Sequence, residues 1–304
     1  MSKNFKVASL AVLIGGLLLT GCENSAEMRR SELAFEQKPV RFIAHRGESY
    51  FAPENTVEAY NLAWNNGACW GAETDVYLTK DNVLVCNHDT TTDRTGGVPG
   101  RIRDMNYADL RKLDVGAWKG EIWRGTKMPT LREVFATVPK DKHIFVEIKS
   151  AGEGEFHNAY EHARLGSGIR DDQVSIISFS LDELAHVRRS LPHVRTLYLL
   201  AIRVDENGEY QPTAEKLLET LRQYDLTGAD CFPDKLLESP ENTAKVADYI
   251  KTIKNAGFEF HVWTFNSFEP AQKLYEMGVD SITTDCSGKL MTQFKEYYKN
   301  SEEK

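Results

Sequence analysis

Two histidines, two basic residues and three carboxylates in this 304-residue chain stand where short apolar runs end. His45 and Arg46 follow Phe42-Ile43-Ala44, Glu73 and Asp75 alternate within "GAETDVYL", His88 closes "NVLVCNH", and Glu147 and Lys149 alternate within "HIFVEIK". Residues two apart on a strand share a face, so Glu73 projects with Asp75 and Glu147 with Lys149. Carboxylates aimed into an apolar interior are costly unless something positive joins them. Three of them from neighbouring strands make an oxygen-rich site suited to one hard divalent cation, Ca2+ or Mg2+. Each residue alone could be an ordinary ion pair or a solvated strand end; the seven together need a common cause.

Imidazole titrates near neutrality, so His45 and His88 suit a paired general acid and base. Arg46 offers a fork for an anion's oxygens and Lys149 a point charge. Acyl transfer would want a nucleophilic Ser or Cys with its base, and no GxSxG elbow is present. A cation, two imidazoles and two basic groups fit phosphoryl chemistry better. Residue types alone therefore reach a metal-assisted phosphoester reaction.

Such a set needs strands whose ends converge. From Arg41 onward, β-rich apolar runs alternate with amphipathic helical patterns, which predicts a parallel sheet with crossover helices. Eight such units in about 260 residues predict a TIM (β/α)8 barrel, in which polar side chains at C-terminal strand ends share one mouth. A doubly wound sheet is the alternative, but no Gly-rich dinucleotide fingerprint supports it. "NVLVCNHD" reads as a continuation of the second strand, and residues 89–129, rich in glycine, read as a small insertion after it that covers a site. Asn55 with Glu58 reads as a capping box; Ser180, Thr213 and Ser267 read as helix caps, and Gly67, Gly257 and Gly278 as left-handed helix ends. Gly47 is expected to turn the backbone away from His45 and Arg46.

The N-terminus reads as a processing signal. Lys3 and Lys6 precede an apolar run, "VASLAVLIGGLLLTGC", too short and Gly-broken for a membrane span. Its end, Leu19-Thr20-Gly21-Cys22, resembles the lipobox of bacterial lipoproteins, which makes Cys22 the lipidation site. Residues 1–22 would be the signal, 23–38 a polar tether, and 39–304 the folded domain. The protein is then expected to be exported and membrane-anchored through its N-terminal lipid, on the periplasmic or cell-surface side. Cys69, Cys86, Cys231 and Cys286 lack metal-type spacing and read as buried free thiols. A net charge of −8 argues against a nucleic-acid partner, though not against a small anionic substrate.

"AHRGESYFAPENT" resembles the HRG…PENT signature of the glycerophosphodiester phosphodiesterase family. "ETDVYLTKDNVLVCNHDTTTDRTGG", "MPTLREVF", "VEIK", "VWTFN" and "GVDSITTD" are similar to further motifs of that family, in family order, from Phe42 to Asp285. The resemblance implies a TIM barrel with a small insertion and hydrolysis of a glycerophosphodiester to glycerol phosphate and an alcohol. It assigns His45 and His88 as acid and base, Glu73, Asp75 and Glu147 as metal ligands, and Arg46 and Lys149 as phosphate contacts. It adds Trp263 at the pocket wall. The chain departs from the pattern at Thr92 and Ser281 and in a longer approach to the second strand, none of which removes a proposed catalytic group. Rival expectations are a phospholipase C-like lyase and a noncatalytic surface lipoprotein that binds phosphodiesters.

Overall fold

The computed structural model describes residues 39–66, 68–150, 155–235 and 238–302. The signal, the tether, Cys22 and Gly67 lie outside the described residues. Eight strands run parallel and close into a barrel: β1 (Phe42–Ala44), β2 (Gly71–Leu78), β4 (His143–Ser150), β5 (Val174–Ser178), β6 (Arg195–Val204), β8 (Gly228–Pro233), β9 (Glu259–Val262) and β10 (Ser281–Thr284). Closure is made by β1, which pairs with β10 through Phe42 and Ile282 and with β2 through Ile43 and Gly71.

Helices follow the strands in the expected alternation. They are α1 (Val57–Asn65), the short α2 (Asp93–Gly96), α3 (Tyr107–Leu110) and α4 (Leu131–Phe135), then α5 (Glu155–Arg164) and α6 (Leu181–Ser190). After them come α7 (Ala214–Gln223), α8 (Pro240–Asn255), α9 (Phe268–Glu276) and α10 (Ser287–Glu302). Every residue of β2 is buried, because its two faces meet different partners. Ala72 and Val76 pack outward among the helix side chains, while Ile43, Phe145, Ile177, Leu197 and Leu199 fill the barrel's lower interior.

Among the described residues, two strands lie outside the barrel circuit. β3 (Leu84–Cys86) runs antiparallel to β2, with Cys86 opposite Val76. "NVLVCNHD" is thus the returning arm of a hairpin, not a continuation. The turn "TKDN" explains it: Thr79 Oγ1 donates to Asp81, Asn82 takes φ +60°, and Thr79 N donates to Val83 O. β7 (Tyr210–Gln211) pairs antiparallel with the end of β6.

The insertion holds short helical turns over a small core of Tyr77, Val85, Ile102, Leu110, Val115 and Met128. Lys119 Nζ ties it to the β1–α1 loop through Ser49 O at 2.7 Å. The four cysteines after Cys22 are buried and unpaired.

Local signals near the mouth differ from expectation. Thr56, not Asn55, caps α1, its hydroxyl accepting from Ala59 N. Ser180 and Thr213 cap α6 and α7 as expected, but Ser267 makes no side-chain cap bond. Gly257 and Gly278 do take left-handed φ. Gly47, at φ +80°, is required by a neighbour other than the one expected. A Cβ there would lie 2.7 Å from the carbonyl carbon and Cβ of Ala59, so the crowding is with α1.

Candidate active site

Adjacent strands bring the three carboxylates together. In the β2–β4 register Asp75 sits opposite Glu147, and Glu73 lies one pleat below Asp75 on the same face. One oxygen of each of Glu73, Asp75 and Glu147 falls within 4.8 Å of the others, and all three side chains are buried. Two cations lie against them. Lys149 Nζ is 3.0 Å from Asp75 Oδ1 and 2.7 Å from Glu147 Oε1, and Arg46 Nε is 3.2 Å from Asp75 Oδ2. Arg46 takes a positive φ, which turns its backbone N–H onto Glu73 Oε2 at 3.0 Å.

The charges do not balance. Burial drives the Glu73 carboxyl well above the ordinary carboxylate range, and the charges of Asp75 and Glu147 add to the effect. Burial, then Asp75, raises Glu147 to about 7. For Asp75 burial pulls the same way, but Lys149 and Arg46 outweigh it and hold the group below its ordinary value. Glu73 Oε1 is buried without a hydrogen-bond partner, and Asp75 Oδ1 has only the Lys149 ammonium beside it. Converging, underneutralised oxygen acceptors of this kind fit a divalent metal ion.

Each histidine is held by a carboxylate through the same ring nitrogen. His45 Nδ1 lies 2.6 Å from Asp285 Oδ1, and Asp285 also accepts from Ser49 Oγ and Asn266 Nδ2. Burial opposes the Asp285 charge, yet the bond from His45 and those from Asn266 and Ser49 bring it down to about 2. His88 Nδ1 lies 2.9 Å from Asp89 Oδ1. Asp89 is also brought to about 2, first by the Arg94 hydrogen bond and then, against some burial, by His88. A carboxylate can only accept, so Nδ1 carries the proton in both rings and Nε2 is left for other work. His88 itself is lowered, chiefly by burial, with Arg46 and Lys149 adding against the pull of Asp75.

A model of the glycerophosphoryl diester phosphodiesterase family matches residues 45–289, from the first of these histidines to the start of the last helix. The chain belongs to that family. A glycerophosphodiester phosphodiesterase of Caldanaerobacter subterraneus is 33% identical over 248 residues, which covers 80% of this chain and 93% of the relative. One of Bacillus subtilis is 29% identical over 299 residues, covering 94% and 96%. Among solved structures, an Oleispira antarctica phosphodiesterase in complex with the product sn-glycerol-3-phosphate superposes with a TM-score of 0.71 at 26% identity. That match covers 84% of this chain and 96% of the other. Membership in this phosphodiesterase family makes the chain an enzyme.

The family's chemistry needs a cleft, and one of about 180 Å3 opens at the barrel mouth. His45, Arg46, Glu73, His88, Glu147 and Lys149 line one side of it, and Ile177, Phe179, Leu199, Asp230 and Trp263 the other. Trp263 is anchored by its indole N–H on Asp230 O at 3.0 Å and packs edge-on to Phe179. Every site residue that the sequence singles out within residues 39–304 thus borders this cleft or, for Asp75, lies directly behind it.

Several supporting residues escaped the sequence reading. Asp89 and Asp285 stand inside quoted motifs, but nothing local shows which ring each would hold. Glu54 links Arg46 and Arg94 by charged hydrogen bonds of 2.8 to 2.9 Å. Asn55 is buried with φ +57°; its amide donates to Asp75 Oδ2, while its oxygen accepts from Tyr60 Oη, Thr74 Oγ1 and Asp75 N. The pair Asn55-Thr56 therefore divides two tasks: one positions a carboxylate and the other starts the helix.

None of the remaining histidines lines this cleft. His143, at the far end of the barrel, stacks on Trp70 and bonds Ser175, and burial pushes it down to about 3. His261 is buried between Ser281 and Glu259. His162 and His193 are exposed, and His157 and His186 half-buried.

Proposed function

We propose that this chain hydrolyses glycerophosphodiesters to glycerol phosphate and an alcohol, with His45 and His88 as the general acid and base. The observation that carries the reading is the paired anchoring of two imidazoles by Asp285 and Asp89 on the rim of a cleft that also holds a three-carboxylate cluster. Glu73, Asp75 and Glu147 would hold one divalent cation, Ca2+ or Mg2+. When bound, that ion supplies Lewis-acid polarisation of a phosphoryl oxygen.

The chain's own groups do the rest. Arg46 and Lys149 bind the phosphodiester anion and stabilise the charge that grows on its oxygens. Nε2 of one histidine takes the proton of the attacking hydroxyl, and Nε2 of the other gives one to the departing alcohol. Glu54 and Arg94 keep this wall rigid, since one guanidinium bridges Glu54 to Asp89. Trp263 and Phe179 shelter the organic part of the substrate.

The test is a panel of glycerophosphodiesters assayed with added Ca2+ or Mg2+. Turnover that vanishes in His45→Ala and in His88→Ala, with circular dichroism unchanged, supports the assignment. Full activity in either variant refutes it. A cyclic phosphate as lasting product would instead indicate the lyase. We further propose that Cys22 is lipidated and anchors the exported protein to a membrane through residues 23–38. Among the described residues no helix is long and apolar enough to cross a membrane.

A further inference from the structure

One acidic group in the cleft has no part in the proton transfers or the metal cluster. Asp230, on β8, lines the cleft floor and is 2% exposed. Its Oδ1 is buried without a hydrogen-bond partner. The neighbouring imidazole is no substitute. His261, its register partner on β9, has both nitrogens engaged by Ser281 and Glu259. The Trp263 indole reaches only the main-chain carbonyl of Asp230. A buried carboxyl left in this state destabilises the fold. Burial, only partly countered by His261, raises its pKa to about 7, so it can stay neutral or charged at little further cost near neutrality.

Its place in the barrel suggests what offsets that cost. Going round the closed sheet from β2, β8 is reached after β1, β10 and β9 in one direction and after β4, β5 and β6 in the other. Asp230 therefore faces Glu73 and Asp75 from the opposite wall. Between them the floor is apolar, formed by Ile177 and Leu199 with Trp263 beside them. A phosphodiester held by Arg46 and Lys149 must project one organic arm across that floor. The floor is closed, whereas Phe179 at the rim is 51% exposed. The arm that enters is accordingly the small and constant one, and the variable alcohol leads outward. Of the glycerol hydroxyls, the terminal one is farthest from phosphorus and reaches farthest across.

We propose that Asp230 is a specificity-determining residue that hydrogen-bonds the terminal hydroxyl of the substrate's glycerol moiety. This rests on the reading of the cleft as a glycerophosphodiester site. It makes Asp230 the reason the enzyme distinguishes glycerol from a deoxygenated analogue, since a site built around a substrate hydroxyl penalises a ligand that leaves its partner unpaired.

The test compares glycerophosphocholine with the propane-1,2-diol analogue that lacks only the terminal hydroxyl, using metal-loaded enzyme. Wild type is expected to favour the natural substrate by about 10- to 100-fold in kcat/KM. Asp230→Leu should lose that preference by falling on glycerophosphocholine alone, while its thermal midpoint rises because an orphaned carboxyl has been removed. Asp230→Asn, of nearly the same shape, should fold in any case and keep a reduced preference. Wild type that hydrolyses both substrates equally overturns the proposal without any variant. Equal losses on both substrates with a lowered midpoint also overturn it, since they mark a structural role. Wild type inert toward every glycerophosphodiester defeats the underlying reading and this proposal with it.

Discussion

His45 and Asp285 are 240 positions apart in the chain and 2.6 Å apart at the barrel mouth. The contact forms because β1 pairs with β10, which closes the sheet and sets the end of the last strand beside the end of the first. His88 has its carboxylate next door in sequence, at Asp89. One acid/base residue is thus held by barrel closure and the other by local chain and Arg94.

That difference predicts different sensitivities. Asp285→Asn keeps the shape but no longer accepts from His45, Ser49 and Asn266 as an anion, and it permits the wrong tautomer of His45. We expect kcat to fall by roughly 100-fold with KM little changed. Asp89→Asn should act similarly through His88, and Arg94→Ala more weakly. Steady-state kinetics on one substrate across the three variants checks the order; unchanged kcat in Asp285→Asn would remove the positioning role.

Acid should weaken the fold through the same carboxylates. Asp285 and Asp89 both titrate at about 2 when folded, against an ordinary 3.8. Their folded values are depressed, so their stabilisation is complete above pH 4 and lost as pH falls toward 2. Urea midpoints at pH 5, 3 and 2 should drop steeply for wild type and less so for Asp285→Asn. Parallel curves for the two proteins would contradict this.

Removing metal should stop turnover, and restoring Ca2+ or Mg2+ should recover it. The ion-free protein carries three buried carboxylates against two cations, so Glu73→Gln should raise its stability by about 1 kcal/mol while abolishing activity. Calorimetry of the chelated proteins measures the first effect and an assay with excess metal the second. Activity indifferent to EDTA would count against the cluster as a metal site.

Asn55 is expected to matter more for stability than a loop residue ordinarily does. Asn55→Ala removes one hydrogen bond each from Asp75 Oδ2, Tyr60 and Thr74, leaving Asp75 the Arg46 guanidinium and Tyr60 the Glu73 carbonyl, and places a Cβ residue without polar compensation at φ +57°, at a cost of about 2–4 kcal/mol. Asn55→Gly relieves the backbone but not the lost bonds. A glycine variant as stable as wild type would show that only the backbone conformation counts there.

Cys22→Ala should move the protein from the membrane to the soluble fraction of its host without changing kcat. Fractionation followed by assay decides it, and retention in the membrane fraction would point to another mode of attachment.

The sequence by itself carried the barrel, the strand ends and the seven polar residues on them, because a period of two on a strand places side chains on a face whatever lies beyond. Repeated strand–helix alternation was likewise a local property. The hairpin of β3 was misread because an apolar run does not say which way the chain turns; Thr79, Asp81 and Asn82 decided that. The capping role moved from Asn55 to Thr56 because Asn55 had a buried partner on β2 that no local pattern reveals. Asp285 and Asp230 depended on closure altogether. A carboxylate's function is set by what faces it, and for one of these that is a histidine at the opposite end of the chain, for the other an apolar cleft floor.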